Sequence, residues 1–267
     1  MVPELIIPEL KNMTYSGRGI IIGMNSEGDS FIGYSLTGRS PSSQARRLVD
    51  GPNTGVIRTD VTDKTQLEKG NPALLLYTAI DYFQIRSFPR NVSAIMASNG
   101  AQTKLLYNAA AEQITNPMPA HLLTRALSRP FWELDPNNDT RIDLTSFEPD
   151  PSHTPRISAM VIGPYAGMHI VRRREGGGKE SLFFNRSLEK KKGYLLTTYS
   201  GGNEDPLKPF EGEPIPIDIP WDNIIEITQA IFNSIQHGAK PDENFAVSSA
   251  AMINTPGDLE SHIINKP

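Results

Sequence analysis

The chain has 267 residues, a formal net charge of −4 and no cysteine, with 38% hydrophobic and 21% charged residues. That length buries a sizeable core, and near-balanced charge with apolar segments throughout excludes wholesale disorder. The lack of cysteine excludes disulfides, thiolate nucleophiles and Cys-ligated zinc or iron–sulfur, and the slightly acidic balance lacks the broad basic footprint of a nucleic-acid binder.

Residues Met1–Leu10 show no basic segment followed by an apolar run. The longest apolar runs, Gly19–Met24, Ala73–Tyr77 and Ile157–Gly163, are far too short to span a membrane. A soluble, cytoplasmic protein without a membrane partner is expected. Short segments rich in Ile, Val, Phe and Tyr, bounded by Gly, Pro, Asn and Asp, predict strands at Gly19–Gly23, Phe31–Thr37, Gly55–Thr59, Ala73–Ile80 and Val92–Ser98. Asn99-Gly100 ends the last of these, and Thr103 is expected to cap a helix burying Leu105, Leu106, Ala109 and Ala110. Pro119 opens a second helix with Leu122, Leu123, Ala126 and Leu127 on one face. Asp135–His153 reads as an internal loop. Strands resume at Ile157–Ile162, Met168–Arg173, Ser181–Asn185 and Leu195–Tyr199, and their short separations predict one meander of antiparallel hairpins, with Gly176–Gly178 at a hairpin tip. From Trp221 to His237, Ile224, Ile225, Ile227, Ile231, Phe232 and Ile235 keep helical spacing, with Gly238 as the left-handed stop. A strand at Phe245–Ile253 follows. So much strand against so few helices predicts two sheets packed face to face with helices on their outer faces, in one domain over residues 1–267.

Common catalytic signatures fail. Gly33-Tyr34-Ser35-Leu36-Thr37-Gly38 has its second Gly one place too far for a nucleophile elbow. Gly17-Arg18-Gly19 has Ile22 where a dinucleotide fingerprint needs Gly, and Gly178-Lys179 continues with Glu180 rather than as a P-loop. The five histidines lack metal-ligand spacing. Asp135, Asn137, Asp139 and Asp143 fall at the odd positions of a calcium loop, but Thr140 stands at its Gly position and Ser146 at its bidentate Glu position. No metal or cofactor is expected. Arg172–Arg174 and Lys190–Lys192 border strands and are expected to face solvent.

What remains are arginines, tyrosines and amides at strand ends. Arg18 stands between two glycines before a strand. Arg39 and Ser40 follow Gly38 at the end of another, with Ser42, Ser43 and Arg46 close behind. Gly, Ser and Arg in such a loop suit an anion, because backbone approaches closely, hydroxyls donate and a guanidinium binds in two-pronged fashion. They equally suit a solvated polar turn. Tyr77, Asn99-Gly100 and Thr154-Pro155-Arg156 likewise end or open strands.

In order along the chain, Gly17-Arg18-Gly19-Ile20-Ile21-Ile22-Gly23, Gly38-Arg39-Ser40, Ser98-Asn99-Gly100-Ala101-Gln102-Thr103, Thr154-Pro155-Arg156-Ile157-Ser158, Thr198-Tyr199-Ser200-Gly201 and Pro209-Phe210-Glu211-Gly212-Glu213-Pro214 resemble the stand-alone IMP cyclohydrolase family from about Tyr15 to Met252. The resemblance implies a four-layer αββα sandwich of two mainly antiparallel sheets, an α+β fold like that of the N-terminal-nucleophile hydrolases. No Ser, Thr or Cys leads the chain, so amide hydrolysis after self-cleavage is not the first reading. The implied reaction closes a formylated aminoimidazole carboxamide ribotide to IMP with loss of water, using no cofactor. Both reacting groups lie on one substrate, so the protein must orient them, move a proton and stabilise an oxyanion, without a covalent nucleophile.

By this resemblance Tyr77 acts at the formyl oxygen, Arg39 orients substrate and stabilises negative charge, and Asn99 bonds the base or carboxamide. Arg18, Ser40, Arg46, Gln102, Thr103, Lys104 and Arg156 are implied to bind the nucleotide, with Glu211 and Glu213 as candidate bases. The partner implied is a purine nucleotide, with no nucleic acid and with homo-oligomer formation left open. The sequence departs from the family pattern at Ser16, Gln44, Ala45, Thr78, Ala101 and Lys104. Two readings follow: an active cyclohydrolase, or a relative that binds a purine nucleotide without turning it over.

Overall fold

A computed structural model of the chain describes residues 4–52, 55–66, 75–85, 92–112, 118–134, 141–149, 152–241, 243–255 and 258–267. The fold is mixed α and β, and every strand pairing among the described residues is antiparallel. The first sheet holds β1 (Arg18–Met24), β2 (Ser30–Thr37), β12 (Lys192–Thr197), β13 (Ile215–Asp218), β14 (Ala246–Thr255) and β15 (Asp258–Asn265), in the order β13-β12-β1-β2-β14-β15. The second holds β3 (Arg46–Asp50), β4 (Ile57–Val61), β5 (Thr78–Ile85), β6 (Val92–Ser98), β9 (Arg156–Ile162), β10 (Tyr165–Arg173) and β11 (Lys179–Ser187), in the order β11-β10-β9-β6-β5-β4-β3. A separate hairpin pairs β7 (Trp132–Leu134) with β8 (Arg141–Asp143).

Strand alternation explains the layers. Ile20 and Ile22 of β1, and Ile32, Tyr34 and Leu36 of β2, share one apolar cluster with Ile80, Ile95, Ala97, Ala159 and Val161 of the second sheet. The odd residues of the first sheet, Ile21 and Phe31, turn the other way and meet Ile227, Ile231 and Ile235. These belong to the helix Ile224–Ile235 (α5), which packs beside α1 (Pro8–Lys11). On the far side, Met96, Met160 and Ile162 pack against Leu105, Leu106, Leu122 and Leu123. Those residues come from α3 (Thr103–Ala111) and α4 (Pro119–Leu127); α2 (Pro41–Gln44) is a short turn of helix between the sheets' chain segments. No helix among the described residues is long and apolar enough to cross a membrane.

Several sequence expectations are corrected. The meander stops at β11, because β12 crosses to the first sheet and pairs with β1 and β13, where it is buried on both faces. Strands β3, β13 and β15 lie at sheet edges and were not predicted. Edge strands carry polar residues on their open side, so alternation is weak, and Pro216 is tolerated in β13 for the same reason. The strand expected from Ala73 begins only at Thr78, with 73 and 74 outside the described residues. Thr103 does not cap α3 from outside: it is the first helical residue, and Gln102 precedes it without a side-chain cap. Gly238 is not left-handed. Its lack of a side chain instead admits Glu243, whose Cβ would lie 2.3 Å from an added Cβ. Arg172 does not face water, since it pairs with Glu180 at 2.7 Å and donates to the Phe210 carbonyl. Gly176–Gly178 do form the β10–β11 tip, with φ of 81°, 96° and 86°.

One buried histidine sets a pH dependence. His169, on the helix-covered face of β10, bonds Ser181 Oγ through Nε2 at 2.8 Å and packs on Phe183. Burial, and secondarily the Lys179 charge, push it down to about 3. Its folded value lies below its unfolded value, so the unfolded chain binds the extra proton and stability falls as pH drops below about 6.5. From pH 6.5 to 5 this group is expected to remove about 2 kcal/mol. Urea unfolding at both pH values, with His169→Gln as comparison, checks it: the variant should lose about 2 kcal/mol less over that interval.

Candidate functional site

Ends of strands from both sheets converge at one end of the sandwich. β1 begins there with Arg18, β2 ends with Thr37, β3 begins with Arg46, and β9 begins with Arg156. Gly17 enters β1 at φ 73°, and an added Cβ would strike the Tyr199 ring at 2.7 Å, so glycine lets the chain pass close beneath that ring. Arg46 donates from Nε to the Ser43 carbonyl at 3.0 Å and from Nη2 to the Thr37 carbonyl at 3.2 Å, tying β3 to the end of β2.

Tyr77 stands just before β5. Its N–H donates to Thr59 Oγ1 at 2.9 Å, and the Thr59 N–H donates to its carbonyl at 2.9 Å, so both sides of the residue are fixed to β4. Its hydroxyl lies 3.0 Å from that of Tyr34, which projects from β2 across the space between the sheets. Both rings are buried.

Around these phenols lie three guanidiniums. Burial opposes the charge of Arg18, but the Tyr77, Tyr34 and Tyr15 phenols and the Glu148 carboxylate outweigh it and raise the group above its ordinary value. Burial lowers Arg46, and the Arg18 charge adds to that effect. Burial also lowers Arg156, with Glu148 working in the opposite direction. All three keep their charge, because guanidinium starts so high. Arg18 Nε, Arg46 Nη1 and Arg156 Nε are buried without an acceptor among the described residues. Buried donors left open beside excess positive charge make a site for an anion.

Glu148 is the only buried acidic side chain among the described residues. Its N–H donates to the Thr154 carbonyl at 2.9 Å, its Oε2 accepts from Ser152 Oγ at 3.2 Å, and Thr154 Oγ1 accepts from the Tyr199 hydroxyl at 3.4 Å. The sequence reading missed Glu148 by treating Asp135–His153 as a plain loop. The one available signal was its place six residues before the Thr-Pro-Arg segment.

Asn99 and Gln102 fasten this end together. Asn99 Nδ2 donates to the Pro155 carbonyl at 2.8 Å and to Thr198 Oγ1 at 3.4 Å; its Oδ1 accepts from the Ile157 N–H at 2.8 Å and from Gln102 Nε2 at 3.2 Å. Gln102 Oε1 accepts from Arg156 Nη1 at 2.9 Å. Thr103 Oγ1 donates to the Thr78 carbonyl at 2.6 Å and also bonds Ser98 Oγ. These amides and this hydroxyl are engaged within the protein.

Arg39 and Ser40 sit outside the buried cluster, on an open cleft of about 590 Å³ that also includes Tyr15, Tyr199, Asn203 and Phe245. Arg39 stacks over Tyr15 at 5.1 Å and donates to Asn203 Oδ1 at 3.1 Å. Tyr15 and Tyr199 line the cleft and interact electrostatically with Arg18. Ser40 caps α2, accepting from the Ser43 N–H at 3.2 Å. Lys104 is not with the others: it pairs with Glu133 and lies over Phe131 on the outer face. Glu213 pairs with Arg186 and is exposed. Of the calcium-loop positions, 135–140 lie outside the described residues; Asp143 Oδ1 accepts from Thr145 N–H at 2.9 Å and Thr145 Oγ1 at 2.8 Å.

The molecule is thus a two-sheet α/β protein with a buried arginine–tyrosine cluster, suited to an anionic ligand, at one end of its sandwich. The family model for IMP cyclohydrolase-like proteins matches residues 15–258, most of the chain, and the chain belongs to that family. No curated protein matched the chain.

Proposed function

We propose that the protein is an IMP cyclohydrolase of the fold shared with N-terminal-nucleophile hydrolases, closing 5-formamidoimidazole-4-carboxamide ribotide to IMP in the cytoplasm. In reverse, the reaction hydrolyses a cyclic amidine C–N bond. The observation that carries this reading is the pair of buried phenols among three guanidiniums with open N–H groups, within a chain of this family.

The carboxamide nitrogen attacks the formyl carbon, forming the ring C–N bond. One of its protons is removed while the formyl oxygen takes up a proton. The resulting carbinol then loses its hydroxyl, with the proton of the formamide nitrogen, as water. Tyr77 is the donor to the formyl oxygen, where developing charge is worth most in a dry site. Arg18, Arg46 and Arg156 hold anionic groups of the nucleotide, and Glu148 accepts the carboxamide proton in place of a carboxylate at Ala101 or Lys104. Arg39 and Ser40 line the entry. Asn99, Gln102 and Thr103 hold these groups in register.

An ultraviolet assay of ring closure with the purified protein, beside calorimetric titration with IMP, tests the reading. Turnover above the uncatalysed rate supports it. Binding without turnover favours the second reading, a nucleotide-binding relative, for which the engagement of Lys104 by Glu133 speaks. Arg39→Ala is expected to weaken nucleotide binding by about 1.5–3 kcal/mol, the loss of a charge-assisted hydrogen bond. An unchanged Kd would make Arg39 a turn residue only.

A further inference from the structure

The Tyr34 hydroxyl has a single hydrogen-bond partner among the described residues, the hydroxyl of Tyr77 at 3.0 Å. Tyr34 is wholly buried on β2, while Tyr77 stands at the entry to β5 of the opposite sheet, so the bond bridges the two layers where their strand ends meet. A core position facing Ile and Ala neighbours is served by Phe unless the hydroxyl has work to do, because a buried O–H must find a partner. We propose, resting on the cyclohydrolase reading, that Tyr34 is a positioning residue for Tyr77: it donates its proton to the Tyr77 oxygen and so fixes and strengthens Tyr77 as the acid.

The direction of donation follows from the surroundings. Burial, then the Tyr77 phenol, raise Tyr34 well above its ordinary value, so Tyr34 keeps its proton and is the donor when charge develops on its partner. The other charged groups acting on Tyr77 are Arg18 from β1, Arg46 from β3 and Arg156 from β9, all cationic. As Tyr77 gives its proton to the formyl oxygen, the developing phenolate receives the Tyr34 hydrogen bond, which is stronger to an anion than to a neutral phenol. The interaction therefore grows toward the transition state and contributes to kcat more than to binding.

The test compares wild type, Tyr34→Phe, Tyr77→Phe and the double variant for kcat, KM, the Kd of IMP and the pH–rate profile. Tyr34→Phe is expected to lower kcat about ten-fold with KM and Kd unchanged. Its alkaline limb should move to higher pH, because the donor that favours ionised Tyr77 is gone. Adding Tyr34→Phe to Tyr77→Phe should cost nothing further, since the two act as one unit. An unchanged kcat, a fall in kcat without movement of the limb, or an additive loss in the double variant overturns the proposal. Should the Phe variant fold poorly, 2,3-difluorotyrosine at position 34, a stronger donor, should move the limb to lower pH; no movement overturns the proposal. If wild type itself does not turn over, the cyclohydrolase reading falls and this inference with it. An active wild type with an unaffected Tyr34→Phe removes Tyr34 alone.

Discussion

Replacing Tyr77 by Phe is expected to lower kcat for ring closure by about 10²–10³, with the Kd of IMP held within a few-fold. The reason is geometric. The Tyr77 backbone is fixed on both sides by Thr59, so the Phe ring should keep its place and the nucleotide its seat. What disappears is one donor at the atom where negative charge develops, and such an interaction exists only in the transition state. Steady-state kinetics beside calorimetry with IMP separate the two quantities. A variant with wild-type kcat would show that the phenol does not act on the formyl oxygen. A variant that loses binding and turnover together would make Tyr77 a part of the nucleotide seat.

The second large effect concerns the fold at the same place. Asn99→Ala is expected to destabilise the protein by about 2–5 kcal/mol, because it leaves the Ile157 N–H and the Pro155 carbonyl buried without a partner. For a chain of this size that is a fall in melting temperature of roughly 4–9 °C. Asn99 joins the end of β6, the start of β9 and Thr198 of the other sheet, so its loss loosens the frame that holds Arg156 and the start of β1. Calorimetric melting of the variant checks this. A normal melting point with lost turnover would instead make Asn99 a group that touches substrate.

These two outcomes bear on a distinction that sequence could not make. Tyr77 and Asn99 both stood at strand ends in segments resembling one family, and nothing in their spacing separated an acting group from a fastening one. Their partners differ in the folded chain: every polar atom of the Asn99 amide is engaged within the protein, whereas among the described residues the Tyr77 hydroxyl has only Tyr34. The same contrast moves Gln102 and Thr103 toward fastening. Arg18, Arg46 and Arg156 differ from these in that each keeps a buried nitrogen without an acceptor among the described residues.

Much of the fold was legible in the chain itself. The strands of the sandwich interior, such as Phe31–Thr37 and Val92–Ser98, announced themselves because burial on both faces demands unbroken runs of apolar and small residues bounded by turn formers. The helix at Ile224–Ile235 was equally plain, since one side must cover a sheet and its apolar residues recur at helical spacing. The edge strands β3, β13 and β15 escaped because water on one side relaxes that demand, whereas β11, also at an edge, was read from its apolar segment at Ser181–Asn185. The transfer of β12 into the first sheet escaped because strand pairing depends on partners distant in the chain, and local pattern carries no record of them.

Residue chemistry along the chain therefore determined the elements, the two-layer balance and the list of arginines and tyrosines at strand ends. Only the tertiary structure decided which of them come together: Tyr34 with Tyr77, Glu148 within electrostatic reach of Arg18 and Arg156, and Lys104 turned away to Glu133. The physical reason is that charge and hydrogen bonding act over a few ångströms of space, and residues 43 positions apart become neighbours only when two sheets close on one core.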